Sequence, residues 1–279
     1  MSPSTPLTTT GVFLRRIIVL SMLLCPALLS AATYTFEGLA NGNLVGQDNW
    51  FALAGSTSWV ITNGTGFDPS KVAQNPNNSG DVHFNGRTNN GNFSFGSLSG
   101  ATGAIFQFDT KVNFPTADNQ NEAFFLGDPN LNVYSSPQIQ YGNGQGPQPV
   151  VAVRQANFGG AFQAPLPNTV LNGDWISVQL TMDFTANGGT GLGSASFADL
   201  TQGTGFQPIA GLQNLPLALT AGDKGAWNSL FLRSDLANQV MIDNLTVAVP
   251  EASTVWMFAL GGILLSYHLR YRRRRDSRS

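Results

Sequence analysis

The sequence predicts an all-β domain, an antiparallel two-sheet jelly-roll sandwich, over most of its 279 residues. Apolar and polar residues alternate in many short segments, whereas helical periodicity is nearly absent. Turn-forming residues separate these segments, as expected of antiparallel strands joined by loops. The third observation is composition. The chain is 42% hydrophobic and includes 19 Phe residues, which is enough to fill the core of one large domain.

Two segments alternate long enough to predict which face of the strand is buried. Residues 174–184 place on one face Ile176, Val178, Leu180, Met182 and Phe184. Residues 105–114 place on one face Phe106, Phe108, Thr110 and Val112. Two long strands favour a jelly roll over an immunoglobulin-type sandwich, which is also small for this length.

Shorter strands and the turns between them follow from the same patterns. The predicted strands cover residues 33–36, 59–62, 82–84, 93–97, 122–126, 138–141, 150–154, 194–200, 230–233 and 240–247. Gly combined with Asn or Asp predicts turns at 63–64, 85–86, 172–173, 187–189 and 221–223. No repeat of fixed period and no Pro/Ser-rich linker divides this region, so we expect a single domain over residues 33–248.

The first 32 residues have the organisation of a secretory signal peptide. A polar start with Arg15 and Arg16 precedes an apolar core at 17–29, and small residues follow at 30–32. This order predicts cleavage between Ala32 and Thr33. An uncleaved anchor is the alternative, and Pro26 argues against it because proline breaks a helix.

The last residues, 249–279, combine a short polar motif, an apolar run and a basic end. The motif at 249–254 begins with Val249, Pro250, Glu251 and Ala252. The apolar run at 252–269 is long enough for about 27 Å of helix, close to the ~30 Å hydrocarbon thickness, which predicts a transmembrane helix. Positive residues near a transmembrane span stay in the cytoplasm. The end at 270–279 carries Arg270, Arg272, Arg273, Arg274 and Arg275. We therefore expect the domain on the side of the membrane opposite to the cytoplasm.

This tail resembles the PEP-CTERM sorting domain of bacterial envelope proteins, with Ala252 at the second Pro of the motif. The resemblance implies an exosortase, a membrane processing enzyme, as partner, and passage from the inner membrane to the cell surface or the extracellular matrix. Residues 34–50 and 230–247 in turn resemble the first and last strands of concanavalin A-like/laminin G-like domains. That resemblance implies a jelly roll in which these strands are neighbours in one sheet.

Charge excludes one class of partner. Residues 33–250 carry 12 Asp and 2 Glu against 3 Lys and 3 Arg, a formal charge of −8, although the whole chain has −2. The domain has no basic patch for nucleic acid. The one cysteine, Cys25, lies within the predicted signal peptide, so disulfides and thiolate metal sites are excluded from the exported part.

Patterns for catalysis are absent from the sequence, which predicts that the protein is not an enzyme. Glycan hydrolysis needs two close carboxyl groups, but Glu37 and Glu122 are the only glutamates of the domain and neither has a carboxylate partner at strand spacing. The domain has a single histidine, His83, and no Gly-x-Ser-x-Gly motif. No cofactor is expected apart from calcium, which the laminin G-like resemblance implies and for which the candidates are Asp118, Glu122 and Asp128.

Aromatic residues are the candidates for sugar binding. Trp50, Trp175 and Trp227 could form an exposed platform, as could Tyr134 and Tyr141, although a role in filling the core is the alternative for each Trp. We therefore expect a non-enzymatic, structural or adhesive protein of an envelope or an exopolysaccharide matrix. A carbohydrate-binding module for polysaccharide capture is the alternative, and a glycan-cleaving enzyme with an unrecognised site is the third.

Overall fold

The computed structural model describes residues 29–53, 58–64, 66–67, 70–75, 82–89, 93–112, 121–128, 134–143, 149–220, 222–235 and 241–250. The predicted strands are present there, except the one at 93–97, and further strands join them. In chain order the strands are β1 (Leu29–Tyr34), β2 (Gly42–Asn43), β3 (Trp50–Ala52), β4 (Val60–Thr62), β5 (Val72–Gln74), β6 (Val82–Thr88), β7 (Gly103–Lys111), β8 (Asn121–Gly127), β9 (Gln138–Asn143), β10 (Pro149–Arg154), β11 (Ala161–Pro165), β12 (Trp175–Asp183), β13 (Leu192–Asp199), β14 (Gln207–Pro208), β15 (Leu215–Pro216), β16 (Ser229–Asp235) and β17 (Met241–Pro250). Short 3-10 turns lie at Ala156–Phe158, Asn187–Gly189 and Asp223–Ala226.

These strands pair into two sheets. Sheet A has the order β14-β13-β12-β7-β17-β5-β4-β2, with β1 paired to β17 and β15 to β13. Sheet B has the order β11-β10-β9-β8-β16-β6-β3. Every pair with a defined register is antiparallel. The all-β prediction with two antiparallel sheets is therefore confirmed, and so is the expected pairing of the first and last strands.

The core lies between the sheets, and the long strands bury the faces that alternation predicts. On β12 and the residue after it, the predicted set from Ile176 to Phe184 is at most 3% exposed. On β7, Phe106 and Phe108 are fully buried, and their ring centroids lie 5.8 and 6.4 Å from that of Phe124 on β8. Rings from the two sheets thus interdigitate, as close-packed cores require.

Two local predictions are wrong, each for a physical reason. Residues 93–97 form no strand, because the Asn89 side chain takes the place of a neighbouring strand: Phe95 N donates to Asn89 Oδ1 (2.9 Å) and Asn89 Nδ2 donates to Phe95 O (3.1 Å). The Asn85-Gly86 pair forms no turn and lies inside β6. The turns at Gly64, Gly173 and Gly188 are confirmed, with φ of +71°, +94° and +67°.

An ion pair between a buried arginine and a partly exposed aspartate ties β6 to the loop before β3. Arg87 is fully buried, and its Nη2 lies 3.0 Å from Asp48 Oδ2. Tyr34 Oη donates to the same carboxylate oxygen at 2.9 Å, and Trp50 Nε1 donates to Tyr34 Oη at 3.0 Å. Burial is the main cause that raises the pKa of Tyr34 to about 12. Because buried charges need partners of this kind, these residues are structural.

The terminal predictions fall mostly beyond the described residues. The described residues include no helix long and apolar enough to cross a membrane. The predicted span at 252–269, the basic end at 270–279 and most of the predicted signal peptide lie outside that part. Strand β1 begins at Leu29 and so crosses the predicted cleavage site, with Thr33 Oγ1 2.9 Å from Thr246 Oγ1 on β17.

Candidate functional site

The outer face of sheet B carries a row of aromatic side chains. Phe231 on β16 is in register with Phe125 on β8 and with Gly86 on β6, and Gly86 is in register with Phe51 on β3. Because neighbouring residues along β8 and β16 point into the core, the Phe125 and Phe231 rings point away from it. With Phe84 of β6 these rings form a hydrophobic cluster separate from the main core, here called the aromatic row: Phe51, Phe84, Phe125 and Phe231.

The rings of the aromatic row are in close contact. Phe125 and Phe231 are stacked, with centroids 5.4 Å apart and planes inclined by 19°. The Phe51 ring meets Phe231 edge to face at 6.1 Å. A Cβ on Gly86 would lie 2.5 Å from Phe51 Cζ and 2.6 Å from Phe231 Cε1, so these rings can meet only over a glycine.

Tyr134 covers this row and supports an exposed ring. Its side chain stacks on Phe125 with centroids 5.5 Å apart and an angle of 21°, and lies 5.5 Å from Phe84. The ring of Phe158 contacts the ring of Tyr134, and Phe158 is 44% exposed. The Tyr134–Phe158 pair is here called the platform.

The backbone that presents Phe158 is strained. In the turn Ala156–Phe158, both Asn157 and Phe158 have φ of +56°. Asn adopts this left-handed region readily, but a bulky residue such as Phe rarely does. The turn is held by the Asn157 N–H, which donates to Tyr134 O at 2.9 Å, and by the Gly160 N–H, which donates to Gln155 Oε1 at 2.8 Å. Strain kept in place around an exposed aromatic ring is typical of binding sites.

A guanidinium group lies beside each ring of the platform. The Arg154 Cζ is 5.7 Å from the Phe158 centroid, and the Arg233 Cζ is 5.8 Å from that of Tyr134. Arg233 Nη1 also donates to Tyr134 Oη at 3.4 Å. Both arginines are half-buried, whereas Arg87, the third arginine of residues 33–250, is fully buried in its ion pair. Both solvent-accessible arginines of the domain therefore flank one aromatic pair.

Amide and hydroxyl groups surround the base of the platform. Gln138 is the register partner of Arg154, and its Oε1 accepts from Gln140 Nε2 at 2.9 Å. The described residues provide no hydrogen-bond partner for three buried atoms here, Ser135 Oγ, Gln138 Nε2 and Arg154 Nε. Buried groups without a partner are uncommon in folded proteins, and their concentration here indicates a polar environment beneath an aromatic surface.

The outer face of sheet A carries a pair of carboxyl groups, those of Asp109 and Asp243. Asp109 on β7 and Asp243 on β17 are register partners beside a β-bulge. Ser70 Oγ donates to Asp243 Oδ2 at 3.0 Å, Asn244 N donates to Asp243 Oδ1 at 2.8 Å, and Asn244 Nδ2 donates to Asp109 Oδ2 at 2.8 Å. Burial raises the pKa of Asp243 to about 6, with smaller contributions from the charges of Asp109 and Glu37, and burial also raises the pKa of Asp109.

The predicted tryptophan platform is corrected by the positions of the three side chains. Trp50, Trp175 and Trp227 are 2%, 5% and 3% exposed, and Trp50 and Trp227 belong to the main core cluster. A buried ring cannot stack on a sugar, so none of the three forms an exposed platform, and the role in filling the core holds for Trp50 and Trp227. Of the tyrosines, Tyr141 is buried and Tyr134 is part of the platform, while Phe158 has no alternating pattern that could have identified it.

The predicted calcium ligands and the predicted sorting motif fall only partly within the described residues. Asp118 lies outside the described residues, Glu122 is on β8, and Asp128 is buried just after β8. No group of three or more potential metal ligands occurs within the described ranges. Of the predicted sorting motif, Val249 is buried at the end of β17, which ends at Pro250, and Glu251 and Ala252 lie beyond the described part.

Comparisons with known proteins give distant likenesses of the whole domain. No protein-family model matches the chain, and no curated protein matches it. Among solved structures, the CBM2 module of the evolved Dit of Lactobacillus casei BL23 phage J-1 is 10% identical, with a TM-score of 0.48, over 80% of this chain and 98% of that one. A carbohydrate esterase of Shiga toxin-encoding bacteriophage phi24B is 15% identical, with a TM-score of 0.47, over 80% and 100%. Peanut lectin is 10% identical, with a TM-score of 0.45, over 78% and 97%.

Proposed function

We propose that this protein is a non-catalytic polysaccharide-binding protein of the bacterial envelope or extracellular matrix, and that the platform is its binding site. One observation carries the proposal: Phe158 is 44% exposed, lies on Tyr134, and is presented by a strained turn. The apolar face of a sugar ring stacks on such a surface, while neighbouring polar groups fix its orientation. Aromatic anchors beside Arg are also the usual centres of binding energy.

The envelope setting is supported by the chain termini. The signal-like segment at 1–32 and the PEP-CTERM-like tail at 249–279 favour export, processing by an exosortase-type enzyme and a structural or adhesive role at the cell surface. The pairing of β1 with β17 supports a jelly-roll topology for the domain. Polysaccharide binding by the domain and sorting by the tail together describe a protein that attaches cells or matrix to glycan.

The test is affinity electrophoresis of the full-length chain, kept in detergent, through gels that contain one polysaccharide each. The panel comprises hydroxyethyl cellulose, starch, xyloglucan, alginate and polygalacturonate. Phe158→Ser should abolish the retardation that wild type shows. Phe206→Ser is the matched control, because Phe206 is 45% exposed between β13 and β14, and it should keep wild-type retardation.

Two results would overturn the proposal. Wild type could migrate as in a gel without polysaccharide throughout the panel, or the Phe158 and Phe206 variants could be retarded as strongly as wild type. In the second case glycan binding would exist but at another surface.

A further inference from the structure

We infer that two copies of this chain associate through the free edge of sheet B at β11, with their β11 strands paired antiparallel about a two-fold axis. The surface consists of Ala161–Pro165 and the backbone groups that these residues direct away from β10. This inference goes beyond the proposed function and does not depend on it, because it concerns an edge of the sheet and not the platform.

Strand β11 differs from the other strands that end the two sheets. Strands β2 and β14 have two residues each and β3 has three, whereas β11 has five. Strand β1, which pairs with β17 off that order, begins inside the predicted signal peptide. Short length, charges and bulges are the usual means by which an edge avoids another chain. Strand β11 has no charged residue and pairs with β10 without a shift in register, so it lacks these protections.

The hydrogen bonds to β10 identify which backbone groups of β11 face the free edge. At the two ends of this ladder, Leu166 N donates to Pro149 O and Gln155 N donates to Gly160 O, both at 2.9 Å. Both pairs continue the register of β10 and β11. In an antiparallel ladder, alternate residues bond to a given neighbour. The even-numbered residues of β11 therefore bond to β10, and the odd-numbered ones direct their backbone groups to the free edge.

Three residues of β11 face this edge. Ala161 and Gln163 each direct one N–H and one C=O towards it, whereas Pro165 has no N–H. Within the described ranges of the chain, no hydrogen bond reaches these outward groups. The edge thus presents two donors and two acceptors at alternate positions, followed by a proline that ends the run.

A second copy of β11 satisfies all four of these groups. With the two-fold axis between the Phe162 residues of the two copies, the Ala161 N–H of one copy donates to Gln163 O of the other. The Gln163 N–H donates to Ala161 O, and the symmetry repeats both bonds. The two Phe162 side chains then lie opposite each other at a position where opposite side chains are closest. Pro165 lies opposite Gly159, beyond the last bond of the ladder.

Side chains and charge also favour a second copy as the partner. Phe162 packs against the main core but is only partly buried, so a second Phe162 would complete its cover. The exported part carries a formal charge of −8, and a two-fold axis brings every charge near it towards its like. An uncharged strand meets its own copy without that repulsion. Because the axis is perpendicular to the sheet, the outer faces of both copies lie on one side, and the dimer presents two platforms there.

Sedimentation velocity of the full-length chain, in density-matched detergent, tests the association. Wild type should pass from monomer to dimer between about 1 µM and 0.3 mM, because a contact of this size is weak. Gln163→Pro removes the N–H that faces the edge, at a position where an edge strand tolerates proline. Since two of the four bonds are lost, the variant should raise the dissociation constant at least about thirtyfold.

The matched control is Ala52→Pro on β3, at the other end of sheet B. Leu53 N donates to Phe84 O at 3.1 Å, in register with β6, so the N–H of Ala52 likewise faces away from its neighbouring strand. This variant should dimerise as wild type does.

Cysteine variants test the register of the two strands. Both are made with Cys25→Ala, because Cys25 is the one cysteine of the chain. Opposite Phe162 residues have Cα atoms about 4.5 Å apart, within the range of a disulfide. Two copies of Gln163 are about 9 Å apart, beyond the limit of about 7 Å. Mild oxidation should therefore link Phe162→Cys into a covalent dimer on a non-reducing gel and leave Gln163→Cys monomeric, although Gln163 is the more exposed residue.

Three results would overturn the inference. Wild type could stay monomeric up to about 0.3 mM. Gln163→Pro could dimerise as strongly as wild type, in which case association would run through another surface, such as the predicted transmembrane helix. Gln163→Cys could form the disulfide as readily as Phe162→Cys. If Gln163→Pro fails to fold, the cysteine variants still test the same pairing, and the retardation assay with Phe158→Ser tests glycan binding separately.

Discussion

The outer faces of the two sheets differ in the kind of side chain that they carry. Sheet A has a polar row in which Gln179 Nε2 donates to Gln107 Oε1 (3.1 Å) and Gln179 Oε1 accepts from Ser196 Oγ (3.4 Å). The row continues through Thr246, the register partner of Gln107, to Thr33. Sheet B instead has the aromatic row, which is covered by Tyr134 and Phe158.

This contrast explains why the platform lies on sheet B. Side chains that hydrogen-bond to one another across strands need no cover, because water satisfies what remains. Aromatic rings on a sheet face gain free energy only when something excludes water from them. Tyr134 does so for the aromatic row, and the last ring, Phe158, remains exposed to solvent.

Removing the Phe231 ring, the centre of the aromatic row, should have the largest effect on stability. Phe231→Ala should lower the free energy of unfolding by about 3–5 kcal/mol, because Phe231 is fully buried and contacts three rings of the row. The matched change in sheet A, Gln179→Ala, removes two exposed-face hydrogen bonds and should cost less than about 1 kcal/mol. Urea denaturation followed by tryptophan fluorescence measures both. Equal losses would mean that the two faces contribute alike and that the contrast is wrong.

The carboxyl pair is the exception on the polar face, and pH should reveal it. The pKa of Asp243 is about 6 in the folded chain, above the ordinary value near 3.9. Folding therefore favours the protonated form, so the stabilising contribution is complete below about pH 4 and is lost as pH rises through 6. Asp243→Asn should remove this loss and raise the free energy of unfolding at pH 8 by about 2 kcal/mol, with a smaller gain at pH 5.

The Asp243→Asn variant keeps the local hydrogen bonds, since the new amide can accept from Asn244 N and donate to Ser70 Oγ. Asp183→Asn is the control with the opposite sign. The pKa of Asp183 is lowered by the Thr185 hydroxyl and the Thr185 N–H, so its contribution is present above the ordinary pKa and this variant should lose stability at pH 8. If Asp243→Asn also loses stability at pH 8, burial of the charged Asp243 carboxylate does not destabilise the fold.

Local patterns in the sequence predicted the frame of the fold but not the surface that the frame presents. The buried faces of β7 and β12 were predictable because alternation is a property of one segment. Gly86 was wrongly predicted to be a turn residue. A glycine is needed there because the rings of Phe51 and Phe231, from strands far apart in sequence, meet over it. No local pattern contains that information.

The aromatic residues illustrate the same limit. The tryptophans were candidates by residue type, but Trp50 is fixed by Tyr34, which in turn binds the Asp48–Arg87 pair. Tyr134 was a candidate by residue type alone. Its pairing with Phe158 depends on a turn with positive φ, and this feature has no signature in the order of residues.

The smallest expected effect on stability distinguishes the contribution of the Phe158 ring from that of the Phe158 backbone conformation. Phe158→Ala and Phe158→Gly both remove the ring and its contact with Tyr134, but only glycine accepts φ of +56° without strain. The Gly variant should therefore be more stable to urea than the Ala variant by about 1 kcal/mol, and neither should be retarded by polysaccharide. Equal stability would mean that the turn relaxes when the ring is removed, so that the ring itself imposes the positive φ. A more stable Gly variant would mean that the turn is held by Asn157, Gln155 and Gly160. The strain of the positive φ at Phe158 would then be imposed by the turn and not by the ring.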